Sequence, residues 1–302
     1  MKTVIKRIIK KIPIISFTFM AMSCSSTQKS SVVLDPNTAE GALPHVENCS
    51  KTISLKHNNL HTNTVKNTCD ALLNAQTKFH QLFNTQNSPV QGDQSTTMQV
   101  VVYGSQRHYV VLANEHFSIP TGNAGVFIEG KPSQSGNVVK FVTYNDTNKI
   151  NNVVHEFTRY LDGRFNLAGN YCESLHDDHS APNFCENETP IYPHLVWWTE
   201  GLGQYISFGN NYIDALAIAH EKTYQLSDIF NTSYNRNSGN ERTYQYSYLA
   251  VRYMLEHHKS RIDRVLNLLR AGEYKAYQKM VRSWGRSMDQ DFSKWLMTVK
   301  KS

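Results

Sequence analysis

The chain has 302 residues, 40% of them hydrophobic and 19% charged, which is enough apolar material for a sizeable core and excludes a wholly disordered chain. Its formal net charge is +6, yet residues 1–23 hold five of the 31 Lys and Arg and none of the 25 Asp and Glu. Without that segment 26 basic residues face 25 acidic ones, so the charge gives no footing for a nucleic-acid partner and none is expected.

Residues 1–24, "MKTVIKRIIKKIPIISFTFMAMSC", open with Lys2, Lys6, Arg7, Lys10 and Lys11 and continue as an apolar run from Ile12 to Met22. A basic start, a short apolar stretch and small residues before Cys24 read as an export signal over residues 1–23. The run is too short for a permanent membrane span. Its ending resembles a bacterial lipoprotein signal, which makes Cys24 the lipid-bearing residue and anchors the chain to the cell envelope, at the outer membrane or in the periplasm. Ala21-Met22-Ser23 also passes as an ordinary cleavage site, so plain secretion is the other outcome. Residues 24–45 lack aromatics, are rich in Ser and Thr, and read as a flexible tether.

The folded part is expected over 46–302, as a mixed α/β half over 46–165 and a mainly helical half over 166–302. Residues 69–85 carry Leu72, Leu73, Ala75, Phe79, Leu82 and Phe83 at helical spacing. Three stretches, 98–104, 124–130 and 137–145, are β-branched and strand-like, the last two separated by the turn-rich "KPSQSG". From residue 149 the period changes. Ile150, Val153, Val154, Phe157 and Leu161 form one apolar stripe, which puts His155, Arg159 and Asp162 on another face, and Asp162-Gly163 reads as the helix end. After an irregular stretch over 166–193, residues 194–209 and 246–258 read as helices, with several more to follow. The fold class is α+β, a mixed sheet with helices followed by a helical subdomain.

Besides Cys24 there are four cysteines, Cys49, Cys69, Cys172 and Cys185. An exported chain favours disulfides. Four cysteines allow three connectivities, and pairing of sequence neighbours is the simplest.

The stretch "NNVVHEFTRYLDGRFN" (151–166) begins as a zinc-peptidase helix begins. In such enzymes two histidines at i and i+4 bind one ion, the glutamate after the first histidine activates a water, and a third ligand comes from a later helix. His155 and Glu156 fit the first ligand and the base, and Glu200 in "WWTEGLGQY" fits the later ligand. The second histidine is absent, and Arg159 stands in its place.

These motifs resemble the peptidase domain of the bacterial collagenases of the Vibrio type. "HEFTRYLDGRF" is similar to their site helix, "VWWTEGLGQYIS" to their glutamate-ligand helix, and "YQLSDIFNTSY" and "YQYSYLAVRYM" to their downstream segments. "AGVFIEGKPSQSGN" is similar to their edge-strand region. Ser247 stands where a glycine is usual and Gln204 where a second glutamate is usual. The similarity runs from about Cys69 to about Leu296.

The resemblance implies a gluzincin-type fold, a zinc ion held by His155 and Glu200, Glu156 as base, and Tyr244 or Tyr248 beside the cleft as an oxyanion donor. It also implies a structural calcium, with Glu129 as the candidate carboxylate, and a peptide or protein as substrate or partner. Trp197 and Trp198 are read as core.

Arginine stays protonated and does not ligate zinc. The chain is therefore expected to be a collagenase-like zinc metallopeptidase homologue with impaired catalysis. The alternatives are a non-catalytic lipid-anchored protein that binds a peptide or partner, and an active enzyme with His176, His179 or His194 as replacement ligand. If Arg159 fills the vacated metal position, its guanidinium should hydrogen-bond Glu200 or Glu156 at about 2.8 Å.

Overall fold

The computed structural model describes residues 38–169, 194–234 and 239–300. Its first half contains α1 (Ala39–Ala42), β1 (His45–Asn48), β2 (Ile53–His57), α2 (Thr62–Phe83), β3 (Thr97–Tyr103) and α3 (Gln106–Phe117). β4 (Gly125–Ile128), β5 (Val138–Asp146), β6 (Lys149–Ile150) and α4 (Val153–Asn166) complete it. Among the described residues helices alone follow: α5 (Val196–Phe208), α6 (Ile213–Ile218), α7 (Leu226–Ile229), and a π-helical turn (Glu241–Tyr246) running into α8 (Ser247–His257). The chain closes with α9 (Lys259–Arg270), α10 (Tyr274–Trp284) and α11 (Asp289–Leu296). The expected order, mixed first and helical after, is present.

The sheet runs β1-β2-β3-β5-β4. Its centre, β2, β3 and β5, is parallel, and the outer strands β1 and β4 are antiparallel to their neighbours. β3 is covered on both faces, as a central parallel strand should be. Its side chains alternate accordingly: Met98, Val100 and Val102 join α2, α4 and α5 in the main core, while Val101 and Tyr103 turn to Tyr109 and Ala113 of α3.

Two departures from the sequence reading occur in this half. The tether expected up to residue 45 gives way to structure by Ala39, and Leu43 is fully buried against α3, because the sheet face under α3 needs an apolar cover. The site helix α4 also does not stop at Asp162-Gly163 but runs to Asn166. A helical glycine costs about 1 kcal/mol. Burial of Phe165 against Phe79 and His80, and hydrogen bonds from Arg164 and Tyr160 to the Ser95 carbonyl, outweigh it.

The start of α4 is fixed by a tight connection. β5 and β6 pair Asp146 with Lys149, and Thr147 and Asn148 between them both have positive φ, 49° and 63°. That is the two-residue turn whose twist matches paired strands. Asn152, at φ 58°, then turns the chain into α4. The site helix is thus launched two residues after the sheet ends, and it lies between the sheet, α2, α5 and α9.

Cys49, at the turn between β1 and β2, is disulfide-bonded to Cys69 on α2. This is one of the two local pairings expected. Cys24, Cys172 and Cys185 lie outside the described residues. Among the described residues no helix is long and apolar enough to cross a membrane.

Candidate functional site

The site is made where α4 crosses α5. α5 is apolar almost all round and buried from Val196 to Gly203, so it packs against both α4 and α8. Two glycines make that approach possible. A Cβ on Gly203 would lie 2.6 Å from Cε1 and Nδ1 of His155, and a Cβ on Gly201 would lie 2.3 Å from the Ser247 carbonyl oxygen. Any side chain at these positions would push α5 away from its neighbours. The motif "TEGLGQ" is therefore a spacing device as well as the carrier of Glu200.

His155 and Glu200, 45 residues apart in the chain, meet at 3.1 Å between Nε2 and Oε2. Both are buried. The other oxygen of Glu200 accepts a short hydrogen bond from the Tyr234 hydroxyl and lies 3.4 Å from Nη1 of Arg159. The same Nη1 is 3.7 Å from Oε2 of Glu156, a buried oxygen that accepts no hydrogen bond among the described residues. On its far side the guanidinium lies over the Phe127 ring of β4, 5.6 Å from the centroid. Arg159 thus lies between both carboxylates, but at ion-pair distances of 3.4 and 3.7 Å rather than at the hydrogen-bond distance of about 2.8 Å that was expected. The lone pairs of Glu200 are already engaged by His155 and Tyr234, which hold its carboxylate in place.

The electrostatics follow from this arrangement. Burial opposes a charge on Glu200, but the Arg159 charge, His155 and Tyr234 together hold its carboxyl well below the usual carboxylate range. Burial likewise disfavours imidazolium at His155. Its hydrogen bond to Glu200 and the charges of Glu200 and Glu156 reverse that and raise its pKa, against Arg159. Tyr244, brought to the site by the π-helical turn, has its ring centroid 6.4 Å from that of His155. Burial, then the Glu200 charge, pushes its hydroxyl up to about 12, so it stays a neutral donor. π-Helical turns are rare and concentrate at functional sites.

Other expected residues sit elsewhere. Tyr248 points away, donating to the Gly209 carbonyl at 2.9 Å and closing the end of α5. Trp197 and Trp198 are core, and Trp198 donates to Asp162 at 3.0 Å. Asp162 also accepts from Asn166 at 2.7 Å, and Arg270 of α9 binds Asn166 Oδ1 at 2.7 Å, so the base of the site is a hydrogen-bonded link between three helices. Glu129 lines a small pocket between β4 and α4 with Phe127, Asp93, Arg159 and Arg164. Two guanidinium groups there work against a calcium ion. His194 precedes α5 and is buried, while His176 and His179 lie outside the described residues.

Tyr234 was not singled out from sequence, although it closes the segment "YQLSDIFNTSY". Its contact with Glu200 spans 34 residues and follows no period.

The residues present do not fit a peptidase zinc ion. Such a site needs three protein ligands and an open position. Among the described residues only His155 and Glu200 are at hand, they are bonded to each other, and a guanidinium lies 3.4 Å from Glu200. Among the described residues no group of three or more His, Cys, Asp or Glu side chains could hold a metal.

A family model described as Collagenase matches residues 20–295. The microbial collagenase of Vibrio parahaemolyticus is 31% identical over 266 residues, covering 87% of this chain and 30% of the relative. That of Vibrio alginolyticus is 32% identical over 257 residues, covering 83% and 29%. Collagenase ColA of Bacillus cereus is 23% identical over 215 residues, covering 66% and 20%. The chain spans about 30% of the length of the Vibrio relatives it matches.

Proposed function

The chain belongs to the collagenase family of peptidases, and from that premise we propose that it is a collagenase-like peptidase-domain protein that keeps a peptide-binding site of gluzincin type but has lost zinc-dependent hydrolysis. The observation that carries this reading is Arg159. Its guanidinium stands 3.4 Å from Glu200 and 3.7 Å from Glu156, on the face of α4 where the second imidazole of an HExxH motif would stand. A divalent ion beside a fixed guanidinium meets repulsion of roughly twice the ~4 kcal/mol that two unit charges feel at about 4 Å and intermediate dielectric. Loss of one ligand and addition of a cation act in the same direction.

What remains is suited to binding. Among the described residues β4 is the end strand of the sheet, and its Phe127 ring lies against Arg159 of α4, so an extended peptide can pair along that edge beside the site. Tyr244 offers a neutral hydroxyl donor beside His155.

The first 24 residues support export with Cys24 acylated, which puts the protein at the bacterial cell envelope. Labelling cells with a palmitate analogue tests this: the protein takes up label and Cys24→Ser does not. A soluble, unlabelled product overturns the anchoring.

The functional reading is tested by incubating the purified protein with gelatin and with short collagen-like peptides, zinc present, beside a Vibrio collagenase. It predicts saturable peptide binding without cleavage. Chelator-sensitive cleavage overturns it and points to His176, His179 or His194 as a replacement ligand.

A further inference from the structure

Resting on the reading that this site holds no zinc, we propose that the guanidinium of Arg159 is a tethered substitute for the family's metal ion: it holds Glu200, Glu156 and α5 in the assembled arrangement, and the rest of a zinc site persists around it, so that Arg159→His alone recreates a metal site.

Three observations carry this. First, the carboxylates have not dispersed. Glu200 and Glu156 flank one Nη1 at 3.4 and 3.7 Å, and their side chains are only 2% and 14% exposed. Two carboxylates so close in a nearly dry site repel each other unless a cation lies between them. Arg159 is positioned as that cation, and the Phe127 ring supports its other face at 5.6 Å.

Second, the retained donors are still aimed inward. His155 Nε2 meets Glu200 Oε2 at 3.1 Å, and the space for its ring is kept by Gly203, where a Cβ would approach within 2.6 Å. Oε2 of Glu156 is buried, accepts no hydrogen bond among the described residues, and faces Nη1 of Arg159 at 3.7 Å.

Third, position 159 is one helical turn from His155. A side chain there shares the face of His155 toward α5, so an imidazole at 159 enters the same space at shorter reach. A histidine there with His155 and Glu200 completes the two-imidazole, one-carboxylate set of a catalytic zinc site.

The test compares the unaltered protein with Arg159→Gln, Arg159→Lys and Arg159→His, each purified metal-free and titrated with zinc or cobalt(II). The expected results are ordered. Arg159→Gln, neutral and of similar length, unfolds roughly 5–10 °C lower. Arg159→Lys recovers part of that loss. Arg159→His is as weak as the glutamine variant without metal, regains most of the loss with zinc, takes up one zinc per chain, and gives tetrahedral cobalt(II) absorption. The unaltered protein and Arg159→Gln show neither response. If the variants do not fold without metal, refolding Arg159→His with zinc or with chelator replaces the melting comparison, and folded yield should depend on zinc.

An unchanged melting temperature for Arg159→Gln, or zinc uptake by Arg159→His no tighter than by Arg159→Gln, overturns the proposal while leaving the non-hydrolytic reading intact. One zinc bound by the unaltered protein overturns that reading instead.

Discussion

Gly203 and the His155 ring are in such close register that a single methyl group between them, 2.6 Å from two ring atoms, has nowhere to go. This pair couples the spacing of α4 and α5 to the geometry of the site. In an isolated helix Gly→Ala stabilises by about 1 kcal/mol. Here Gly203→Ala should destabilise by about 2 kcal/mol, because overpacking displaces His155 from Glu200. Gly201→Ala should cost more, since its Cβ meets the Ser247 carbonyl at 2.3 Å and backbone cannot rotate aside as a ring can. Urea unfolding of the two variants checks the ranking. A Gly203→Ala protein more stable than the original contradicts the helix crossing described here.

Tyr234 donates to the Glu200 oxygen that faces Arg159. Hydrogen bonds to a charged group contribute about 1.5–3 kcal/mol. Tyr234→Phe should therefore lower stability by about 2 kcal/mol, and Tyr248→Phe, whose hydroxyl serves uncharged backbone at the end of α5 and the Arg252 side chain, by about 1 kcal/mol. Thermal melts of both variants decide. Equal and negligible losses would mean that Tyr234 does not hold Glu200.

Asp162 gives a pH dependence of definite sign. Burial pushes its carboxyl up to about 7, against hydrogen bonds from Asn166 and Trp198. Unfolded, it titrates near ~3.9. Between those values the folded state binds the extra proton, so this group's contribution to stability falls as pH rises from about 4 to about 7, then levels off. Asp162→Asn, which cannot ionise, should flatten that slope, and its stability deficit should be smaller at pH 8 than at pH 5. Urea unfolding at the two pH values measures it. A deficit that grows with pH would show that Asp162 is a stabilising carboxylate.

The Cys49–Cys69 bridge closes a loop of about 20 residues and ties the β1–β2 turn to α2. Loop-closure entropy of this size corresponds to about 3 kcal/mol. Replacing both cysteines by serine should lower unfolding stability by that order while leaving the spacing of His155 and Glu200 intact. Loss of peptide binding in a variant that remains folded would contradict the separation of staple and site.

The parts of the site legible in sequence were those encoded locally. His155, Glu156 and Arg159 share one helix face, Glu200 sits in a short motif, and Tyr244 begins another, so residue type and spacing located them. Tyr234 escaped because its approach to Glu200 depends on tertiary folding. The loose 3.4 Å contact of Arg159 escaped for a related reason: two other donors hold Glu200, and only the assembled site shows them. In the fold, β3 and β5 were legible as apolar β-branched runs. β1 was not, since all four of its residues are exposed, nor was α3, which leaves Val110 and Val111 in solvent. The end of α4 was misread because a glycine signal is weak beside the burial of Phe165 and Asn166.

Metal analysis decides whether the Arg159 guanidinium stands where a zinc ion would stand. The mature domain is produced with its disulfides in zinc-replete medium, dialysed against metal-free buffer, and its zinc per chain measured by mass spectrometry beside a Vibrio collagenase. One zinc per chain is expected in the collagenase and less than about a tenth of that here, because this site is short of one ligand. One tightly held zinc per chain in this protein would contradict it.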